Sequence, residues 1–200
     1  MNNNFVVIDF ETGGLDASLH DPVQIAAIIL DGKTLKERGR FVSMIKASRD
    51  RLTEEALKVN KKTLEEIESA PTSLEVLENF IKFCEPHGKL IPVAHRATFD
   101  LSFLKMLWVS NGKDLKEYRK VISDSAEICT KGLAICKFRN KIPVVYDYGL
   151  EKLVIFLRIK HENAHDALSD AEATADLFRR LLLPLHIRIW NKLVSFFYKK

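Results

Sequence analysis

Cysteine is scarce in this chain of 200 residues: Cys84, Cys129 and Cys136 are the whole complement, an odd number with no C-x-x-C spacing. That argues against a disulfide framework and against a zinc site, and it fits a reducing cytoplasm. Long apolar runs are missing too. No stretch approaches the roughly 18–20 uncharged apolar residues of a bilayer span, so no membrane partner is expected. The start, Met1-Asn2-Asn3-Asn4, has no basic segment and no small-residue cleavage site, so no secretory signal is read there. Internal repeats, low-complexity tracts and linkers are likewise absent, which leaves one domain.

What is present suits a globular α/β protein. The apolar fraction of 46% and charged fraction of 29% are too core-forming for a disordered chain. The net charge of +4 is unevenly spread: residues 1–100 hold 13 Lys/Arg against 16 Asp/Glu, and residues 101–200 hold 18 against 11. A basic second half suits an anionic polymer, although a modest excess also serves solubility alone.

Phe5-Val6-Val7-Ile8 is a continuous apolar run, the pattern of a strand buried on both faces. Val23 to Leu30 and Arg40 to Ile45 give two more strands joined by short turns, an antiparallel meander. From Thr53 to Phe83 the pattern turns helical, with capping boxes at Thr63-x-x-Glu66 and Thr72-x-x-Glu75. Leu90 to Ala94 predicts a fourth strand, Phe99 to Val109 a helix ended by Asn111-Gly112, and Val121-Ile122 a fifth strand. Helical segments follow near 125–136, 149–159 and 167–183. Between the first two lies a basic loop, Lys137-Phe138-Arg139-Asn140-Lys141.

Chemistry concentrates at three places. The first strand runs into Asp9-Phe10-Glu11, and strand alternation sends both carboxylates to one face, about 7 Å apart. A divalent cation would resolve their repulsion; a strand running out into solvent would also explain them. Asp100, in His95-Arg96-Ala97-Thr98-Phe99-Asp100, falls at a strand–helix junction, where a carboxylate is also favoured simply by the helix dipole. In His165-Asp166-Ala167-Leu168-Ser169-Asp170, Asp166 reads as an N-cap. Five helical residues turn by roughly 140°, so His165 belongs on the approach loop and Asp170 one turn into the helix.

Taken together and in this order, D-x-E, H-x-x-x-F-D and H-x-x-x-x-D resemble the DEDDh, or DnaQ-like, 3′→5′ exonucleases, over most of the chain from about Asn4 to about Leu183. This group includes the polymerase III epsilon proofreading subunit, RNase T and oligoribonuclease. The resemblance implies a ribonuclease H-like fold, a mixed five-stranded sheet flanked by helices. It implies hydrolysis at a nucleic-acid 3′ end, releasing nucleoside 5′-monophosphates with two Mg²⁺ or Mn²⁺ ions. By the resemblance Asp9 bridges both metals, Glu11 and Asp170 complete the site of the metal holding the water, and Asp100 supports the second. His165 takes the water's proton, a task suited to neutral imidazole near pH 7. Thr12-Gly13-Gly14-Leu15 would receive the terminal nucleotide, backbone N–H groups meeting the 3′-hydroxyl and Leu15 wedging against the last bases, with His95 and Phe99 lining the pocket.

Two departures bear on substrate preference. Gly13 stands where most members have Thr, which would empty space beside the terminal sugar, and Arg96 stands where most have Asn. Single-stranded DNA is the expected substrate and RNA the alternative; a catalytically idle nucleic-acid-binding or polymerase-tethering module is the rival from another class. The exonuclease domain is expected over 1–183. In 184–200, Leu185, Ile189, Leu193 and Phe196 form one helical stripe. That tail would pack on its own domain or contact a DNA polymerase or a second copy in a homodimer; its shortness favours a stand-alone enzyme.

Overall fold

The first strand, β1 (Phe5–Thr12), lies at the centre of a five-stranded sheet of order β3-β2-β1-β4-β5, which is why it opens with residues apolar on both faces. The computed structural model describes residues 3–138 and 148–182. β2 (Pro22–Leu30) and β3 (Glu37–Met44) complete the expected antiparallel meander. The chain then passes through α1 (Glu54–Asn60), α2 (Leu64–Glu68) and α3 (Ser73–Cys84) to β4 (Ile91–Ala94), which pairs parallel to β1. Next come α4 (Ala97–Ser110) and α5 (Leu115–Val121), then β5 (Ile128–Cys129), parallel to β4. Three helices follow, α6 (Thr130–Phe138), α7 (Leu150–Leu157) and α8 (Ala167–Leu182).

Both expected capping boxes form. The Thr63 and Thr72 side chains accept from the Glu66 and Glu75 N–H groups, and each glutamate reaches back to the threonine N–H. They start two helices at defined points.

Alternation along β1 feeds two cores. Val6, Ile8 and Phe10 pack with Leu77 and Phe80 of α3 and with Leu104 and Trp108 of α4, where Trp108 meets Phe80 and Tyr118 edge to face. Val7 packs on the other side with Ala167, Ala171, Ala175 and Phe178 of α8. The three alanines recur every four residues and let α8 lie close against β1 and β2. Asp9 and Glu11 continue the Val7 series, so they emerge on the α8 side of the sheet.

The fifth strand is displaced from its expected place. Val121 closes α5, which Asp114 starts by accepting the Lys116 N–H (2.8 Å) and which the buried Tyr118 anchors. Ile122 makes only an isolated parallel bridge to Leu90, while the strand itself forms at Ile128–Cys129. A two-residue strand is too short to show periodicity of its own. For the same reason the helix expected from 125 begins at Thr130. Arg139, Asn140 and Lys141 of the basic loop and the tail expected over 184–200 lie outside the described residues. Among the described residues, no helix is long and apolar enough to cross a membrane.

Candidate active site

Four carboxylates from three distant stretches meet where β1 and β4 end. Asp9 and Glu11 come from β1, Asp100 from the first turn of α4 directly after β4, and Asp170 from the first turn of α8. All four line one cleft of about 410 Å³, with His95, Arg96, Phe99, Lys131 and His165 among its other walls. Asp100 is tied to β1 itself, its Oδ1 accepting the Phe10 N–H at 3.3 Å. Two helix N-termini thus present their positive ends to the cluster.

The electrostatics show how costly this grouping is. Removal from water pushes the Asp9 carboxyl well above its ordinary range, and the charges of Asp100, Asp170 and Glu11 push further in the same direction. Burial, then Asp170, raises Glu11 to about 7. Burial also raises Asp100 to about 7, against the Phe10 N–H and Arg96, which favour its charged form. Asp170 is likewise raised by burial, with His161 opposing. Carboxylates alone gain nothing from this crowding; hard divalent cations with oxygen ligands would relieve it. The donor set therefore fits Mg²⁺ or Mn²⁺.

His165 occupies the approach loop, as expected, and adopts a left-handed backbone (φ 66°) one residue before the N-cap Asp166. Ligand atoms of Glu11, His165 and Asp170 lie within 4.8 Å of one another. The His165 Nε2 also meets Glu151 Oε1 of α7 at 3.2 Å. A second histidine escaped the sequence reading: His161 is almost buried, with its Nε2 2.5 Å from Asp170 Oδ1. Nothing in its spacing marks it, because the loop over 158–166 alone brings it there.

The expected substrate contacts divide. His95 is held between the Thr130 hydroxyl and the Tyr148 carbonyl, both at 3.0 Å. Burial pushes it down to about 4, so it is neutral, with Nε2 donating to the carbonyl; it shapes the cleft as a fixed wall. Arg96 is exposed, its guanidinium 5.6 Å from the Phe99 ring centroid, which puts both side chains on the cleft's rim. Leu15 is 83% exposed. The Thr12 hydroxyl donates to the Gly14 carbonyl (2.7 Å) and serves the loop.

Gly13 corrects the expectation placed on it. Its N–H donates to the Asp21 carbonyl (2.7 Å), so it is not a donor for a 3′-hydroxyl, which leaves Gly14 and Leu15 as the candidates. A Cβ on Gly13 would fall 2.6 Å from the Arg51 carbonyl oxygen and 2.5 Å from Leu52 Cδ2. The missing side chain thus makes room for the segment over 51–53, whose Thr53 N–H bonds the Gly13 carbonyl at 2.7 Å, rather than for a sugar. At Gly14 a Cβ would strike the His20 ring, a side chain rather than backbone.

An α/β domain of ribonuclease H-like architecture, with four carboxylates and a histidine gathered at the end of its central strand, is the class these features define. Comparison with known proteins agrees. A family model described as an exonuclease matches residues 6–178, and the chain belongs to that exonuclease family. The PolC-type DNA polymerase III of Thermotoga petrophila is 34% identical over 90% of the chain, which spans 12% of that polymerase. DNA polymerase III subunit epsilon of Aquifex aeolicus is 28% identical over 91% of the chain and 82% of its own length. Among solved structures, E. coli exonuclease I in complex with a dT13 oligonucleotide superposes with a TM-score of 0.76 at 23% identity, covering 96% of this chain and 43% of that one.

Two outcomes follow from this geometry. Glu11 and Asp100 bind protons more tightly folded than unfolded, so without metal stability declines as pH rises from their ordinary values, 4.5 and 3.8, through about 7. Chelator-treated protein should melt lower at about pH 8 than at about pH 5, and Mn²⁺ should raise the midpoint more at the higher pH. Calorimetric melting checks both; a midpoint insensitive to Mn²⁺ at either pH would count against the cation site. Separately, Gly13→Thr should destabilise the fold by about 1–3 kcal/mol through overpacking, measured by denaturant titration.

Proposed function

We propose that this chain is a metal-dependent 3′→5′ exonuclease that hydrolyses single-stranded nucleic acid, preferentially DNA, and releases nucleoside 5′-monophosphates. The convergence of Asp9, Glu11, Asp100, Asp170 and His165 on one cleft carries the proposal. Two Mg²⁺ or Mn²⁺ ions held by the four carboxylates would supply a lowered water pKa and neutralise charge on the reacting phosphate. His165, on the loop facing Glu11 and Asp170, takes the proton from the attacking water. The water oxygen bonds to phosphorus, the bond to the penultimate 3′-oxygen breaks, and that oxygen takes a proton from solvent to become the new 3′-hydroxyl. Phe99, with Arg96 over its ring, offers a stacking and phosphate-pairing rim for the terminal nucleotide, and Leu15 a wedge for the bases.

The DNA preference draws on the oligonucleotide complex of exonuclease I and the polymerase III names of the relatives. Trimming of RNA by the same site is the second form of the proposal, since discrimination at the 2′-hydroxyl turns on a few contacts at the terminal sugar. The polymerase names also support a polymerase as partner of the domain over 1–183, the tail over 184–200 being a candidate contact. Three unpaired thiols fit a reducing, cytoplasmic setting. An idle binding module would have no need of all five groups.

Labelled DNA and RNA strands with Mg²⁺ or Mn²⁺ should shorten stepwise from the 3′ end, and chelation should stop it. Asp9→Ala and Asp170→Ala should each abolish hydrolysis while the fold survives. His165→Ala should slow hydrolysis by about 10²–10⁴-fold, as for loss of a general base, and leave Mn²⁺ binding intact by titration calorimetry. Shortening from the 5′ end, or full activity in either aspartate variant, would overturn the assignment.

A further inference from the structure

Lys62 is a cation set against this acidic cleft that the chemistry above leaves unused. It sits in the turn between α1 and α2, which is fastened to the end of β1. Asn60 is buried and donates to the Thr12 carbonyl at 3.1 Å, its Oδ1 accepts the Lys62 N–H at 3.1 Å, and Lys61 between them is left-handed (φ 56°). The turn aims the Lys62 side chain inward. Its Nζ lies 3.2 Å from Asp166 Oδ2, with the lysine side chain 16% exposed.

That oxygen has a second donor, Gln24 Nε2 at 3.2 Å, and Gln24 Oε1 accepts the Ala167 N–H at 3.2 Å. Gln24 is the direct cross-strand partner of Glu11 in the β1–β2 ladder. The remaining oxygen, Asp166 Oδ1, accepts the Ser169 N–H at 3.3 Å. Burial would raise the Asp166 carboxyl, but the bonds from Gln24, Ser169 and Lys62 outweigh it and hold it low. Asp166 is thus a charged hinge post between the sheet and α8, and His165 is the residue immediately before it. His165 itself is more exposed than the post, at 42% for its side chain, and has an unusual backbone conformation to maintain.

We propose that Lys62 is a positioning residue for His165: its ammonium holds Asp166, and Asp166 holds the loop that presents the histidine to the carboxylate cluster. This rests on the assignment of His165 as the base. Gln24 and the Ser169 N–H donate to the carboxylate as neutral groups, whereas Lys62 pairs a full positive charge with it, adding ionic attraction to the hydrogen bond. Losing it loosens the loop in front of α8 more than the first turn of α8, so the base is displaced while Asp170 stays in place.

The test compares Lys62→Met and Lys62→Arg with the parent chain, with Lys62→Gln as replacement should the methionine variant fail to fold. In metal-free protein, the His165 ring signals, assigned by their loss in His165→Gln, should shift and broaden in Lys62→Met and return in Lys62→Arg. With Mn²⁺ and a single-stranded substrate, kcat should fall about tenfold in Lys62→Met, within the range that a small misplacement of a reacting group costs. KM and calorimetric Mn²⁺ affinity should stay within about twofold, as for a group acting only on the chemical step. Unchanged His165 signals would overturn the proposal. So would a raised KM with kcat preserved, which marks a substrate contact, or weakened Mn²⁺ binding, which marks a role in the metal site. A parent chain without hydrolytic activity would instead sink the exonuclease assignment, and the ring signals would still decide whether Lys62 positions His165.

Discussion

The burial of four neighbouring carboxylates at the end of β1 is the constraint around which this structure is arranged. Asp9, Glu11, Asp100 and Asp170 are all pushed upward, first by burial, with like charges adding to the push on Asp9 and Glu11. Such a grouping survives only on a scaffold that does not yield. The central strand is that scaffold: it is hydrogen-bonded on both sides and packed on both faces, and its neighbour β4 delivers Asp100 without any intervening loop of length. The N-termini of α4 and α8 bring positive potential to the cluster, and Arg96 and Lys62 add positive charge beside it.

The carboxylates and His165 are held by different kinds of structure. Asp9, Glu11, Asp100 and Asp170 stand on a strand and on first turns of helices, whose backbone bonds fix them to the cores below. His165 stands on a left-handed loop residue, held through its neighbour Asp166 and by its ring contact with Glu151 of α7. On the proposed function this division suits both tasks, because groups that hold a metal need constant geometry and a general base needs only to reach the reacting water.

How much of this the sequence disclosed depended on whether a feature is local. The apolar run at Phe5–Ile8, the two capping boxes and the alternation of Asp9 with Glu11 are fixed by neighbours within four residues, and each stands in the structure as read. The loop place of His165 and the first-turn place of Asp170 follow from helix geometry alone. By contrast, β5 exists because β4 offers it an edge, so two residues of strand left no periodic trace, and Val121 went to a helix instead. His161, Gln24 and Lys62 were missed because their partners lie 9, 142 and 104 residues away. Only Gln24 carried a signal, a lone amide in the otherwise apolar run VQIAAIIL.

Gly13 shows the same limit from the other side. Read locally, a glycine in place of a threonine beside a catalytic pair looks like space granted to a ligand. In three dimensions the space belongs to the chain itself: the Arg51 carbonyl and Leu52 fill it, and the Gly13 N–H and carbonyl are both spent on backbone partners at 2.7 Å. The segment over 51–53 leads into α1 and the Asn60–Lys62 turn, so what the glycine permits is the close seating of that turn on β1. Gly13 thus acts here through packing. The seat it provides is the one from which Lys62 reaches Asp166, which links the departure at Gly13 to the loop that carries His165.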